Sequence, residues 1–293
     1  MDGVIVVDKP EGLTSHDVVD RVRKLAGQRK VGHLGTLDPL ATGVLPLVLG
    51  RATRLSRFFS TSEKKYDARV KFGWATDTYD CTGAAVSPPV QPAFTRSELE
   101  AALASFRGII VQTPPPFSAK KVAGTPAYRL ARRNIAVELE PVEVHIHSID
   151  LMDFNGSTAG IRVHCSAGTY VRGIAHELGR RLGCGAFLES LRRTASGEFT
   201  EEQAHALDEL EAFAQSRKLA EALIPAAHLL PYWPNATVDA LTAGQIRQGR
   251  DFRLSPFIDL PDGRYVKAIS QEGELIAIGE ARLPRLYHPI LVL

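Results

Sequence analysis

The amino-acid sequence predicts an α+β protein with a mixed, largely antiparallel main domain and a small β-rich domain at its C-terminus. Its 293 residues suit one main domain with a small addition. The strand-like segments follow one another across short turns, and the helices stand apart instead of alternating with every strand. With 44% hydrophobic and 23% charged residues, the chain is typical of globular proteins and unlike disordered or fibrous ones.

The N-terminal segment predicts a strand, a helix and an irregular loop. Gly3–Val7 is rich in β-branched residues and alternates little, which is typical of a buried strand. Thr14 or Ser15 is suited to cap a helix whose apolar residues recur every 3.6 positions, and Gly27 ends that helix. The stretch Gly32–Pro46 contains three glycines and two prolines, which predict a loop of unusual backbone.

The central elements carry the same kinds of local signal. Tyr66–Phe72 alternates as a half-buried strand does, and Asn155-Gly156-Ser157 forms a turn between two further strands. Apolar residues at helical spacing predict three helices, each with a start or stop signal. These are a helix capped by Thr95 and Glu98, a helix from Val171 stopped by Gly183, and a helix opened by Thr200 and Gln203.

A segment rich in proline and aromatic residues, Leu230–Pro234, predicts a domain boundary. The main domain then spans residues 1–230 and the C-terminal domain residues 231–293. In the second domain we expect a short helix from Val238 to Ile246, followed by strands. Turns at Asp262-Gly263 and Glu272-Gly273 join those strands.

The sequence lacks the features of membrane, secreted and metal-bound proteins. No apolar run reaches the ~18 residues that a membrane helix needs, and the N-terminus has no basic region leading into an apolar stretch. The three cysteines are odd in number and far apart, so we expect a cytoplasmic protein without disulfides. His145 and His147 alternate on a predicted strand, but no carboxylate or third histidine lies at ligand spacing. We therefore predict no metal site.

Positive charge is concentrated in one stretch, although the net charge is only +2. Ala101–Val137 holds six basic residues and no acidic one. Thr113–Phe117, within this stretch, is rich in proline, and we interpret residues of about 108–137 as an inserted, exposed arm. A basic face of this kind suits a polyanion such as a nucleic acid, and ordinary surface charge is the alternative.

One carboxylate, Asp38, lies in the middle of the loop rich in glycine and proline, between the apolar residues Leu37 and Pro39. An acid held there needs a charged partner or a function, because burying an unpaired charge is costly. A turn aspartate that accepts hydrogen bonds from nearby backbone amides is the alternative. The loop is not a phosphate-binding P-loop, because no Gly-Lys-Ser/Thr follows at the required spacing.

Several motifs resemble those of the TruB family, the tRNA pseudouridine-55 synthases. Gly32–Gly43 (GHLGTLDPLATG) resembles the catalytic motif of the family, and Gly3–Ser15 (GVIVVDKPEGLTS) resembles its opening motif. His164–Arg172 (HCSAGTYVR) resembles the third motif and Leu188–Arg193 (LESLRR) the last. Lys64-Lys65-Tyr66 resembles the start of the strand that carries a family tyrosine. The C-terminal segment is similar to a small PUA-type RNA-binding domain.

The resemblance implies that the main domain is a pseudouridine synthase that isomerises uridine at position 55 in the T-loop of tRNA after flipping the base out. The reaction breaks the N-glycosidic bond, rotates the base and rejoins it through carbon, so no cofactor is implied. The sequence contains no Rossmann fingerprint, which agrees with this expectation. Three routes stay open: attack of the carboxylate on ribose C1′, attack on the base C6, or a glycal formed after proton loss at C2′.

The resemblance also implies roles for individual residues. Asp38 is the catalytic carboxylate, Arg172 is the cation that pairs with it and lowers its pKa, and Lys9 supports the loop or contacts a phosphate. Tyr66 stacks on the flipped base, and His33 enters the space that the base leaves. The substrate-binding residues are His33, Tyr66, Tyr170 and Leu191. The arm contacts the RNA backbone through Lys120, Lys121, Arg129, Arg132 and Arg133.

The implied partner is the T stem-loop of tRNA, bound by a monomer without a membrane or an obligatory protein partner. Three alternatives stay open. One is a guide-RNA-dependent rRNA pseudouridine synthase, a class that relies on partner proteins and lacks the long basic insertion. Another is a non-catalytic protein that binds tRNA or helps it fold. The third is a metal-free hydrolase that uses Asp38 with His33, although their spacing on a loop does not by itself create a nucleophile–base pair.

Overall fold

The computed structural model describes residues 1–118, 120–122, 124–127, 130, 133, 139–254 and 264–293. Within these residues the strands form a ten-stranded sheet, a five-stranded sheet and a two-stranded hairpin. In chain order the strands are β1 Gly3–Lys9, β2 Val31–His33, β3 Thr42–Leu49, β4 Lys64–Phe72, β5 Gly108–Gln112, β6 Lys121–Val122, β7 Thr125–Pro126, β8 Val142–Phe154, β9 Thr158–Cys165, β10 Ala186–Ser196, β11 Phe199–Thr200, β12 Ile224–Pro225, β13 Asn235–Val238, β14 Phe252–Arg253, β15 Tyr265–Ser270, β16 Leu275–Leu283 and β17 Leu286–Val292.

Five α-helices and four 3₁₀ helices accompany the sheets in the described part of the chain. The α-helices are α1 Ser15–Ala26, α2 Arg96–Ala104, α3 Val171–Arg181, α4 Leu207–Gln215 and α5 Ala240–Arg247. The 3₁₀ helices are Gly50–Phe58, Glu201–Gln203, Leu219–Ala222 and Ala226–His228. None of the described helices is both long enough and apolar enough to cross a membrane.

The ten-stranded sheet is mostly antiparallel, with the strand order β12-β1-β3-β10-β4-β9-β8-β5. In addition, β2 pairs with β3 and β11 pairs with β10. Among its described strands, β3 and β10 form the parallel pair, with Thr42 beside Arg192 and Gly43 beside Arg193. The predicted α+β class with a largely antiparallel sheet is therefore confirmed. This parallel pair brings the end of the Asp38 loop against the end of the last sequence motif.

Helices α1 to α4 pack on one face of the sheet and enclose the main hydrophobic core. The predicted caps start two of these helices. Thr14 accepts a hydrogen bond from the Asp17 amide (3.1 Å), and the Asp17 carboxylate accepts one from the Thr14 amide (2.9 Å). Thr95 and Glu98 form the same capping box at α2. Gly27 ends α1 in the left-handed conformation, as predicted.

The cap at Thr200 and Gln203 forms, but the helix that it was expected to open begins later. The cap opens a single 3₁₀ turn, and α4 starts only at Leu207. The reason is a backbone contact with β1, in which the His205 amide donates to the Val6 carbonyl and the His205 carbonyl accepts from the Asp8 amide, both at 2.9 Å. Pairing with the sheet holds this residue extended and delays the helix.

The C-terminal strands form the five-stranded sheet, in the order β13-β15-β16-β17-β14. Its first strand begins at Asn235, directly after the segment that the sequence predicts as a boundary. Helix α5 covers most of the predicted span, and the predicted turn at Glu272-Gly273 joins β15 to β16. The other predicted turn, at Asp262-Gly263, lies outside the described residues.

Aromatic side chains join the C-terminal sheet to the main sheet. The ring of Trp233 stacks on Tyr265 with centroids 4.6 Å apart, and it meets Phe58 of the main domain edge-on at 5.0 Å. Buried aliphatic residues of both sheets share one cluster around this contact. The two sheets are therefore held together by apolar packing as well as by the chain.

Gly43 lies where β3 approaches β10 closely. Its φ is +96°, and a Cβ atom there would lie 2.3 Å from the Arg193 carbonyl oxygen. We expect Gly43→Ala to lower the free energy of unfolding by roughly 2–4 kcal/mol, measured by urea denaturation. Gly273→Ala is the matched control, with a φ of +85° and no heavy atom within 4 Å of the added Cβ. Backbone strain alone should cost about 1 kcal/mol there, and equal losses would contradict the prediction.

Candidate active site

The loop between β2 and β3 is held from two sides by buried side chains. The Arg193 guanidinium, on β10, donates hydrogen bonds to the carbonyl oxygens of Gly35 (3.1 Å) and Val44 (2.7 Å). The Ser15 hydroxyl, at the start of α1, donates to the Leu37 carbonyl (3.0 Å) and accepts from the Leu37 amide (2.8 Å). The backbone is therefore fixed on both sides of the single carboxylate in the loop.

Lys9, at the end of β1, is fully buried and supports the same loop. Its ammonium donates to the carbonyl oxygens of Pro10 (2.8 Å), Leu13 (2.6 Å) and Pro39 (3.2 Å). Burial lowers the pKa of Lys9 to about 8, although the nearby charge of Asp38 acts in the opposite direction. The structure thus places this predicted site residue behind the loop, where it binds backbone carbonyls.

Asp38 faces the guanidinium of Arg172, which lies in the first turn of α3 and is only 4% exposed. The Nε atom of Arg172 lies 3.0 Å from Oδ2 of Asp38, and Nη1 lies 3.7 Å from Oδ2 of Asp80. The same guanidinium donates to the carbonyl oxygens of Thr78 (3.3 Å) and Phe117 (2.7 Å). One buried guanidinium therefore contacts two carboxylates and donates hydrogen bonds to two backbone carbonyl groups.

Burial raises the pKa of Asp38 above its ordinary value. Arg172 is the strongest opposing influence, while the negative charge of Asp80 raises the pKa further. The predicted pairing of Asp38 with Arg172 is present, and Arg172 lowers the Asp38 pKa as expected, but burial makes the net shift of the pKa upward. Desolvation outweighs the ion pair because protein surrounds the carboxylate on most sides, although 34% of its side-chain surface stays open to the cleft.

Six of the predicted site residues line one cavity of about 410 Å³. They are His33, Asp38, Tyr66, Tyr170, Arg172 and Leu191. A second cavity of about 530 Å³ adjoins the Asp38–Arg172 pair and is also lined by Asp80, Phe117 and Ser118. Both volumes fall in the range of small-molecule sites. The carboxylate therefore lies between two openings, within reach of a small planar group in either.

The Tyr170 backbone is positioned by a side chain to which sequence reasoning gave no role. Gln112, at the end of β5, accepts from the Tyr170 amide (2.8 Å) and donates to the Tyr170 carbonyl (2.9 Å). Tyr170 precedes α3 and has no side-chain cap of its own. Gln112 therefore fixes the start of the helix that carries Arg172.

The first residues of the predicted arm belong to the main sheet, and their exposure alternates: Ile109 and Val111 are exposed, whereas Gln112 is buried. Residues 108–112 form β5 of the main sheet. Pro114, Pro115 and Ser118 are buried. They pack beside the Arg172 site, where the Phe117 carbonyl accepts a hydrogen bond.

The five basic residues assigned to RNA contacts are only partly described. Lys120 and Arg133 are exposed, and Lys121 lies on β6 of a short hairpin. Arg129 and Arg132 lie outside the described residues. The described part of the arm thus offers two exposed cations, Lys120 and Arg133.

Sequence reasoning assigned no role to four residues that shape the site: Lys64, Asp80, Gln112 and Arg193. Lys64 lines the first cavity, and burial lowers its pKa to about 8. Arg193 pairs with Tyr66 across β10 and β4, so the alternation of β10 puts it on the cavity face with Leu191. The sequence offered two signals for these residues: this alternation, and the position of Lys64 and Arg193 within motifs. Asp80 and Gln112 reach the site only through tertiary packing.

The chain matches known family models over most of its main domain. Residues 23–171 match the model described as TruB family pseudouridylate synthase (N terminal domain). Residues 172–231 match the model described as tRNA pseudouridylate synthase B C-terminal domain. Together the two models cover α4 and the residues that line the first cavity.

Similar curated proteins extend over the whole chain. The chain is 56% identical over 293 residues to tRNA pseudouridine synthase B of Solibacter usitatus, covering 100% of both chains. It is 39% identical over 284 residues to the protein of the same name from Aquifex aeolicus, covering 96% of both. Among solved structures, it resembles a chain in the archaeal box H/ACA sRNP Nop10-Cbf5 complex with a TM-score of 0.68 and 26% identity. That match covers 95% of this chain and 78% of the other.

Proposed function

Because this chain belongs to the TruB family of pseudouridylate synthases, we propose that it isomerises uridine to pseudouridine at position 55 in the T-loop of tRNA. The observation that carries the proposal is the Asp38 carboxylate, which lies in a cavity beside a buried arginine. Full-length similarity to proteins named tRNA pseudouridine synthase B supports tRNA as the substrate. In this proposal the chain acts in the cytoplasm as a monomer without a protein partner.

The chemistry needs one well-placed carboxylate. The bond from ribose C1′ to N1 breaks, the base turns, and a bond from C1′ to C5 forms. N1 gains a proton and C5 loses one, so the atoms balance without an external reactant. Asp38 acts in its ionised form, either by attacking C1′ or C6 or by removing the C2′ proton. Arg172 orients the carboxylate, and its charge opposes the effect of burial on the Asp38 pKa.

The cavity provides a place for the extruded base. Flipping costs a few kcal/mol of stacking, which contacts inside the pocket must offset. Tyr66 is buried on β4 and faces the cavity, so its ring stacks on the uracil in this proposal. Leu191, Tyr170 and His33 line the same cavity. In this proposal His33 enters the space that the flipped base leaves in the RNA.

The experiment that tests the function is tritium release from tRNA transcripts labelled at C5 of uridine, with the purified chain alone. We expect one equivalent of tritium per tRNA, and none from the site when uridine 55 is replaced by cytidine. A guide-RNA-dependent enzyme releases nothing under these conditions, a non-catalytic protein binds tRNA without release, and a hydrolase liberates free uracil. Any of these three results contradicts the proposal.

The raised pKa of Asp38 predicts an acid limb in the rate profile. Only the ionised carboxylate acts, so the rate falls about tenfold per pH unit once the pH drops below the Asp38 pKa. Because burial raises that pKa, the limb should lie above the value of about 3.9 for an ordinary aspartate. Single-turnover tritium release against pH measures it, with circular dichroism as the control for acid unfolding. A constant rate down to about pH 4 contradicts the prediction.

The exposed cations of the arm predict a salt-dependent affinity for tRNA. Each phosphate contact contributes about one to the slope of log K against log salt. We expect the double variant Lys120→Gln, Arg133→Gln to reduce the slope by about 2, measured by filter binding at several salt concentrations. Lys218→Gln is the control for a lost surface charge, because Lys218 is 60% exposed and paired with Glu221. An unchanged slope in the double variant would mean that the arm does not contact phosphates.

A further inference from the structure

Two histidines and one carboxylate converge on the face of the main sheet opposite the cavity. Glu63 directly precedes β4, His164 lies on β9 and His147 lies on β8, and these three strands are neighbours. His164 pairs with Lys65, so its side chain lies on the other face of the sheet from Tyr66. The cluster is therefore separate from the site described above.

The ligand atoms of the three side chains point toward one another. Nε2 of His164 lies 2.7 Å from Oε2 of Glu63, and Nε2 of His147 lies 3.1 Å from Oε1 of the same carboxylate. One ligand atom from each residue can be chosen so that all lie within 4.8 Å of one another. The two rings are 4.7 Å apart at their centroids. Such convergence does not follow from spacing along the chain, which is why His145 and His147 gave no metal prediction.

The backbone holds these residues in place before any ligand binds. The register of β8 and β9 shifts between Ile146 and Ser148, so His147 lies at a bulge, a feature that re-aims a side chain. The Glu63 carbonyl accepts a hydrogen bond from the Gly197 amide (2.8 Å). Little rearrangement is therefore needed to bring the three groups around one ion.

We propose that Glu63, His147 and His164 form a binding site for a divalent transition metal, with Zn²⁺ as the ion of best fit. Ligand atoms at about 2.0–2.2 Å from a tetrahedral zinc lie roughly 3.3 Å from one another, somewhat farther apart than the observed separations of 2.7 and 3.1 Å between each Nε2 atom and a Glu63 oxygen. Two imidazoles with one carboxylate suit zinc, whereas magnesium and calcium select oxygen ligands. The side chains are 26–53% exposed, so water completes the fourth position.

The bound ion links three neighbouring strands, two of which lead to the cavity. β4 bears Tyr66, and β9 leads into the Ser166–Tyr170 segment that lines the cavity. The Ser166 amide donates to the His145 carbonyl, two residues before His147 (2.8 Å). The ion therefore stabilises this end of the sheet without contacting the reacting groups.

Titration of the chelator-treated full chain with Zn²⁺ in a calorimeter tests the proposal. We expect one equivalent to bind, and we expect Glu63→Gln, His147→Ala and His164→Ala each to weaken binding at least tenfold. His288→Ala is the matched control, because His288 contacts one carboxylate, that of Asp251 (2.7 Å). This variant should bind zinc as the unaltered chain does. The melting temperature of each variant in chelator establishes that it is folded.

Thermal unfolding supplies a second readout. Zinc at about a hundredfold excess over its Kd should raise the Tm of the unaltered chain by about 5 °C. The three site variants should show no such rise. Saturable zinc binding that survives in His164→Ala, or the absence of saturable binding in the unaltered chain, overturns the proposal. In the second case the trio is a hydrogen-bonded cluster in which both rings donate to Glu63. Neither result bears on the isomerase activity.

Discussion

Replacing Asp38 with asparagine is expected to reduce the rate of isomerisation by at least about 10⁴-fold, as loss of a catalytic carboxylate or nucleophile does in other enzymes. The amide has the size of the carboxylate but neither attacks carbon nor removes a proton. The fold should survive, because the Arg172 guanidinium retains its contact with Asp80 (3.7 Å) and its hydrogen bonds to two backbone carbonyl groups. Single-turnover tritium release measures the rate, and filter binding measures the affinity for tRNA.

The affinity for tRNA separates a catalytic from a structural role of Asp38. We expect it to be unchanged in Asp38→Asn, since the phosphate contacts lie elsewhere. Asp67→Asn is the control, because Asp67 lies on β4 but faces away from the cavity and pairs with exposed Arg162. This control should retain its rate within about twofold. Joint loss of rate and tRNA binding in Asp38→Asn would indicate that the aspartate holds the loop instead of reacting.

Local signals in the sequence predicted most elements of the fold because those signals act over a few residues. The capping boxes at Thr14 and Thr95 and the stop at Gly27 depend on hydrogen bonds and dihedral angles within one turn. The late start of α4 could not be predicted in this way. It depends on a backbone contact between His205 and β1, which are almost 200 residues apart in the chain.

The candidate site shows the same contrast between features set by local sequence and features set by long-range contacts. The sequence motifs contain the predicted residues that line the cavity, and the resemblance to a family implied the role of each. Three other features arise from tertiary packing between segments distant in the chain. They are the second carboxylate on Arg172, the positioning of Tyr170 by Gln112, and the Glu63 cluster with two histidines. The net direction of the Asp38 pKa shift could not be predicted, since burial competes with the ion pair and depends on the complete packing.

Replacing Arg172 with methionine is expected to impair both stability and catalysis. Methionine fills part of the same volume but leaves the carboxylates of Asp38 and Asp80 without their cation. Removing one partner of a buried ion pair costs about 3–5 kcal/mol, which urea denaturation measures. Protonation of Asp38 relieves part of this cost, because its pKa rises further once Arg172 is gone. The acid limb of the rate profile should therefore move to higher pH.

A matched arginine distinguishes this buried pair from a surface pair. Arg162 holds Asp67 through two hydrogen bonds of 2.8 and 2.9 Å, but the side chains are 54% and 41% exposed. Exposed pairs contribute about 0–1 kcal/mol, so Arg162→Met should change stability little. Arg172→Lys keeps the charge, but an ammonium lacks the planar fork and cannot reach all four acceptors. Its stability should therefore lie between those of Arg172→Met and Arg162→Met. If Arg172→Met is as stable as Arg162→Met, the guanidinium does not hold the two carboxylates together, and the pocket must keep Asp38 in place by other means.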